Sequence, residues 1–481
     1  MGYADFAALS PLIIISATAV LLMLSIAIRR SHRTAVVISL LGLGLALGSL
    51  TFASSVAPRQ VTAFLILDRY SFLYMGILIS AAAFVFLFGY DYLNRRREHQ
   101  EEFYLLTLLA TTGAMVLVAS RNFASLFLGL ELLSVSLYAL IGYVRTERVS
   151  IEAGIKYLVL AASSSSILLF GLALIYSKSG SMNLSQFTAM THSYGQADSI
   201  FLAGLMLSLS GIGFKLAIVP FHLWTPDVYE GAPLPVTAFI ATVSKGGMFA
   251  LLLRWFQTQG VGLGGATGLV LSIMAIASML IGNLLALRQT NVKRILAYSS
   301  IAHMGYLLVA LLAGGALGAP AATYYLTAYL VTILGAFGAM TLLSGARRDA
   351  ASLGSYRGLF WQKPLVATAF TTMLLSLAGI PLTAGFLGKF YVLTSGAAQS
   401  QWVLLLTLVV SSTIGLFYYL RILVVMYGHP AEPVATADAG MLPLSLPATL
   451  ALAVLTGLVF LLGLFPTPFW NVIVEATRSL V

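Results

Sequence analysis

The chain has 481 residues, 59% of them hydrophobic and only 9% charged. A soluble globular protein carries about a quarter charged residues, so these proportions exclude a water-soluble fold and call for a polytopic membrane protein. Cysteine is absent, which excludes iron–sulfur ligation, disulfides and thiol catalysis by this chain. The net charge of +10 lies in short loops between apolar runs, where it sets topology rather than marking a nucleic-acid surface.

In chain order, apolar runs over 10–28, 35–54 and 71–90 come first. Asp5 precedes the first and Arg29, Arg30 and Arg33 follow it. That is the reverse of a secretory signal's charge order, so the run is predicted to stay as a helix. Runs over 102–119 and 122–143 follow, with Glu131 in the middle of the second, in SLFLGLELLSVSLYALIGY. A carboxyl that far from either loop has to face a bundle interior, as a functional group or as a structural, hydrogen-bonded acid. The run 157–176 begins just after IEAGIKY, where Glu152 and Lys156 stand four residues apart. They read as an interfacial ion pair or as part of a proton entrance. Ser163, Ser164, Ser165 and Ser166 in the same run suit close helix packing. The run 200–219 holds Lys215 and breaks at Pro220, with His222 just beyond in VPFHLWTPD. Lys245 lies ten residues into the run 235–256. After 265–286, the run 297–315 contains His303 in SSIAHMGY. The run 321–343 precedes an over-long one, 365–395, interrupted at Gly379-Ile380-Pro381 and carrying Lys389 in GFLGKFYVL. The last runs are 403–426, with Arg421 near enough to its end to snorkel, and 442–464.

Most runs are near the ~20 residues a helix needs to cross the hydrocarbon, and they predict an all-α membrane protein of about fourteen transmembrane helices. Alternate threading with a periplasmic amino terminus places sixteen Lys and Arg in cytoplasmic loops, Arg97 and Arg347 among them. Six fall on the other side, including Arg254, and four lie within spans: Lys215, Lys245, Lys389 and Arg421. This is the asymmetry of the positive-inside rule. The polar connections 177–199 and 427–441 are too short for a soluble domain, so residues 1–481 read as one integral domain. Residues 1–95 supply three helices, 96–260 and 261–430 two repeats of five, and 431–481 a C-terminal helix.

Runs seven and twelve are both broken at proline, which removes a backbone donor and frees a carbonyl that only protein or a hydrated cavity can satisfy at membrane depth. They occupy corresponding positions five crossings apart, which predicts two inverted five-helix repeats, each with a broken helix, as in transporters. Lysine at three central sites suits a relay, because burial destabilises the ammonium and lets it exchange a proton, whereas guanidinium stays charged. A Glu131–Lys215 pair is expected to work as an electrostatic switch. His222 and His303 are packed residues or further members of the path. The chain shows no metal-ligand cluster, no phosphate-binding loop, no dinucleotide fingerprint and no nucleophilic triad, so no metal, cofactor or covalent chemistry is predicted within it.

The segments SLFLGLELLSVSLYALIGY, IEAGIKYLVLAASSSSILLFGLALIY, GFKLAIVPFHLWTPDVYEGAPLPVTAFIATVSK, NVKRILAYSSIAHMGYLL and SLAGIPLTAGFLGKFYVL together resemble the antiporter-like membrane subunits of respiratory complex I. The likeness covers nearly the whole chain and is strongest to the type that closes its second half with a lysine, here Lys389. It implies a fourteen-helix core and a proton relay through Glu131, Lys215, Lys245 and Lys389. It also implies residence in a bacterial inner membrane beside other membrane-arm and peripheral-arm subunits of a translocase. Those partners would hold NADH, FMN, iron–sulfur clusters and quinone, with lipid around this chain and no nucleic acid. A subunit of a multisubunit sodium/proton antiporter shares the broken-helix lysine design and is the alternative.

Overall fold

The computed structural model describes residues 2–96, 100–184, 198–257, 265–346, 348–429 and 445–480. Arg97, Arg347 and most of the connections expected at 177–199 and 427–441 lie outside the described residues. The helices are α1 (Tyr3–Ile28), α2 (His32–Ser54), α3 (Arg69–Arg96), α4 (Glu101–Ala119), α5 (Phe123–Ile141), α6 (Arg148–Ser179), α7 (Ser199–Leu216) and α8 (Trp224–Gly231). They continue as α9 (Leu234–Phe239), α10 (Lys245–Gln257), α11 (Gly265–Leu287), α12 (Val292–Ala313), α13 (Gly315–Leu343), α14 (Pro364–Ala378), α15 (Ala384–Ala398), α16 (Trp402–Tyr427), α17 (Leu446–Leu464) and α18 (Thr467–Thr477).

Thirteen spans among the described residues are long and apolar enough to cross a membrane, with α9 and α10 counted as one. The fourteenth crossing, predicted over 365–395, is the pair α14 and α15. Each has 15 residues, or about 22 Å of helix, short of the ~30 Å hydrocarbon. Side-chain caps fix several starts. Asn122 accepts from the Ala124 N–H, Asp198 from those of Ile200 and Phe201, and Asn291 from those of Lys293 and Arg294. Three features were not foreseen from the pattern of apolar runs. One is a short hairpin, β1 (Arg59–Val61) with β2 (Leu65–Leu67), antiparallel with Arg59 opposite Leu67. The second is the terminal helix α18. The third is a π-helical turn, Ile240–Ser244, between α9 and α10.

Two five-crossing halves follow α3. The first runs from α4 to α10 and the second from α11 to α16. The first and second crossings of each half pack closely through glycine: Gly113 and Gly129 join α4 to α5, and Gly282 and Gly305 join α11 to α12. The third and fourth pack alike, α6 on α7 through Gly171 and Gly204, and α13 on α15 through Gly388. Corresponding helices are five crossings apart, and an odd offset reverses direction, so the halves are inverted. The centre is closed to lipid: the most apolar window of Leu234–Phe256 is 100% buried, and that of Val292–Ala313 is 94% buried.

The face bearing the basic loops is tied together by ion pairs. Asp349 takes Arg96 at 2.7 Å and Lys293 at 2.9 Å, while Asp227 takes Lys156 at 3.1 Å and Arg294 at 2.9 Å. Burial alone would raise the Asp349 carboxyl, but the Lys293 and Arg96 charges outweigh it and hold it below the usual carboxylate range.

The α6–α7 contact gives a direct test of this packing. A Cβ on Gly171 would lie 2.7 Å from the Gly204 carbonyl and the Ser208 N–H, both backbone atoms that cannot yield. Gly171→Val is expected to cost about 1–3 kcal/mol or more through overpacking, lowering the thermal midpoint and yield of folded protein. Gly44→Val, where nothing lies within 4 Å, serves as the neutral comparison. Equal stability of the two variants would contradict the packing.

Candidate functional site

Lys215 occupies the last turn of α7 and is only 3% exposed. Its ammonium donates to Ser134 Oγ at 2.6 Å and to Tyr157 Oη at 3.3 Å, and stands 5.2 Å over the Tyr157 ring. Glu131 is one turn from Ser134 on the same face of α5. It forms no ion pair with Lys215, and one of its carboxylate oxygens is buried without a hydrogen-bond partner among the described residues. The direct partner of Lys215 on α5 is thus Ser134, one turn from Glu131. The break after Lys215 is satisfied by protein, as a break at membrane depth must be. Ala217 turns the chain at φ 59°, the Ile218 N–H reaches the Gly213 carbonyl, and Trp224 Nε1 donates to the Phe214 carbonyl at 2.9 Å.

Lys245 is wholly buried and follows the π turn, which aims it at α12. Its Nζ donates to Ser300 Oγ at 2.6 Å, which also accepts from Tyr329 Oη at 2.6 Å. The Tyr229 ring lies 5.6 Å from the ammonium. One turn along α12, His303 bonds Tyr325 Oη at 2.6 Å through Nδ1 and Tyr419 Oη at 3.3 Å through Nε2. His303 also packs edge-to-face on the Tyr306 ring, whose centre lies 5.4 Å from the Lys389 ammonium.

Lys389 lies on α15 but reaches back across the second break. It donates to the Leu377 and Ala378 carbonyls at 3.0 and 2.9 Å and to Ser412 Oγ at 2.7 Å. Those carbonyls end α14 and have no intrahelical partner, so the cation caps the negative end of a half-helix. Gly379 is required there twice over. Its φ is +86°, and a Cβ would sit 3.0 Å from Lys389 Cδ.

Other predicted residues lie apart from this line. His222 is buried in the first break, its Nδ1 without a hydrogen-bond partner among the described residues. Lys156 sits half-exposed at the basic face, paired with Glu152 at 2.7 Å as its spacing suggested, and also with Asp227. Arg421 donates to the Leu287 and Gln289 carbonyls, so it caps the end of α11. Ser164 donates to the Gly211 carbonyl, in line with a packing role. Arg254, expected on the side opposite the basic loops, is buried near the end of α10 against Asp68.

None of the three lysines has a carboxylate within ion-pair distance among the described residues; hydroxyls and carbonyls solvate them. The sequence reading missed these partners. Tyr325 and Tyr329 are four apart in TYYLTAYL, and Ser300 and His303 are three apart, so one-face spacing was the available signal. Among the described residues no three His, Asp or Glu side chains gather as a metal site. An ammonium held only by neutral groups can pass its proton to a hydroxyl or water without stranding a counter-charge. The arrangement is therefore suited to proton transfer rather than to covalent chemistry.

Known proteins share this architecture. A family described as NADH:quinone oxidoreductase/Mrp antiporter, transmembrane, matches residues 120–415. A chain of respiratory complex I from Thermus thermophilus is 32% identical over 96% of this chain and 98% of its own, with a TM-score of 0.81. Two more distant structures share the fold. A chain of an archaeal membrane-bound sulfane sulfur reductase is 24% identical over 99% of this chain and 98% of its own, with a TM-score of 0.83. A chain of the Mrp complex from Dietzia sp. is 20% identical over 100% and 98%, with a TM-score of 0.84. The chain belongs to the NADH:quinone oxidoreductase/Mrp antiporter family, the antiporter-like proton-translocating membrane subunits of complex I and Mrp.

Proposed function

We propose that the chain is the N-type subunit of a bacterial proton-translocating NADH:quinone oxidoreductase, carrying protons along Glu131, Lys215, Lys245 and Lys389. The observation that carries this reading is the set of three buried lysines, without a counter-ion among the described residues, each held by a serine hydroxyl. The identity to a complex I chain supports the choice of complex. The basic face is the cytoplasmic one and the amino terminus is periplasmic, as the loop charges indicate.

The relay begins at Lys215, whose charge state responds to the Glu131 carboxylate. The Tyr157 ring lies 5.2 Å from the Lys215 ammonium and the Tyr229 ring 5.6 Å from that of Lys245. From Lys245 the proton moves by Ser300 and His303 toward Lys389, which adjoins the second break. NADH, FMN, iron–sulfur clusters and quinone belong to partner subunits, and redox energy reaches this chain by its contacts with them.

Lys215→Ala is expected to lower quinone-linked proton pumping in the assembled complex. Lys215→Arg is expected to assemble but turn over slowly, because guanidinium keeps its proton. Pumping at the parental rate in both variants would remove Lys215 from the path. Purification by a tag on this chain tests the assembly itself: NADH-oxidising subunits should co-purify, and recovery with cation-antiporter subunits alone would overturn the assignment.

A further inference from the structure

We propose that protons enter the first half through a vestibule on the basic face, bounded by the α1–α2 turn, α4 and the end of α5, whose floor is Tyr138; this rests on the relay reading above. A cavity of about 1170 Å³ opens there, with Arg30, Glu101, Tyr143 and Arg145 on its walls and Tyr138 and Gly142 at α5. Water occupies about 30 Å³ per molecule in the liquid, so a space of this size has room for tens of waters.

The decisive feature is what lies beneath the floor. Tyr138 Oη is buried and makes no hydrogen bond of ordinary geometry, although Ser134 lies near enough to act on it. Ser134 is one turn deeper and takes the Lys215 ammonium at 2.6 Å. Glu131 is one turn deeper again, with its own buried, unpartnered oxygen. Tyr138, Ser134 and Glu131 thus form one polar stripe on α5, spaced by about 5–6 Å per step. Buried polar atoms without a protein partner are those that ordered water serves. The stripe therefore joins the vestibule to Lys215 by water and hydroxyl, with Tyr138 positioning the last waters. The Tyr157 ring, 5.9 Å from that of Tyr138, flanks the stripe.

A rival opening near Lys156 is less suited. That cleft, about 210 Å³, is lined by Glu152, Lys156, Asp227 and Glu230, and its lysine is held by two carboxylates rather than linked inward.

The absence of cysteine in this chain makes the test clean. Ala139→Cys and Leu106→Cys place a thiol on facing walls of the vestibule. Each variant complex, in inverted vesicles, is treated with a membrane-impermeant cationic methanethiosulfonate, and NADH-driven proton uptake is compared before and after. The parent complex, with no thiol here, corrects for reaction at other subunits. Uptake should fall severalfold on modification of either variant. Full labelling by mass spectrometry with unchanged uptake would overturn the vestibule, as would a thiol that cannot be labelled in the assembled complex. The relay reading fails separately, if Lys215→Ala keeps parental pumping.

Discussion

Lys245→Met is expected to stop proton transport through this chain while leaving the fold as stable as before, or more so. The ammonium is wholly buried, and its hydrogen-bond partner is Ser300. Burying a charge without a counter-ion costs several kcal/mol after relaxation, whereas an apolar chain of similar length costs nothing of the kind. Ser300 keeps its bond from Tyr329 in the variant, so no partner is stranded. Function should move the other way. A positioned proton-transfer group contributes roughly 10²–10⁴-fold, and Met offers none, so transport should fall by well over tenfold. The measurements are the thermal midpoint of the purified complex and NADH-driven proton uptake in vesicles. Retained pumping would exclude Lys245 from the path, and a collapsed midpoint would show it to be structural. Lys389→Met should differ, because it also uncaps the Leu377 and Ala378 carbonyls and so should lose both stability and transport.

The contrast between these two lysines shows what the sequence could and could not convey. Spans, breaks and buried cations were legible because lipid imposes length and polarity rules on every residue in turn. The over-long run 365–395 with Gly379-Ile380-Pro381 resolves into α14 and α15 where the pattern placed the break. Partners were not legible, since they lie far apart in the chain: Lys215 meets Ser134 rather than Glu131, and Lys245 meets Ser300. The π turn before Lys245 escaped for another reason. FIATVSKGGMF contains no proline, and one extra residue in a helical turn leaves no trace in hydropathy. Helix α18 escaped because it is short and amphipathic, below the threshold for a span. The burial of Arg254 was not legible either, because topology counting assigns a cation near a helix end to one side and says nothing of its depth.

That buried arginine carries the largest expected effect on stability. Arg254 and Asp68 are buried together near the opposite face, bonded twice at 2.8 and 2.9 Å, with Arg254 also reaching Ser71 Oγ and the Val118 carbonyl. Its guanidinium lies 4.8 Å from the centre of the Tyr70 ring. Three elements meet there: the strand β2 that leads into α3, the end of α4, and α10. Asp68→Ala would strand a buried guanidinium, and breaking such a pair costs about 3–5 kcal/mol. The variant is therefore expected to accumulate poorly and to unfold at lower temperature. Asp68→Leu combined with Arg254→Met removes both charges and should recover most of that loss, since a buried pair replaced by apolar groups is often neutral. Acid should mimic the single variant. Burial raises the Asp68 carboxyl, but the Arg254 charge and hydrogen bonds hold it below its ordinary 3.8. The pair's contribution is thus complete above that value and is lost as the pH falls through the depressed one. A double variant no more stable than Asp68→Ala would show that the geometry of this pair, rather than relief from a stranded charge, holds α10 in place.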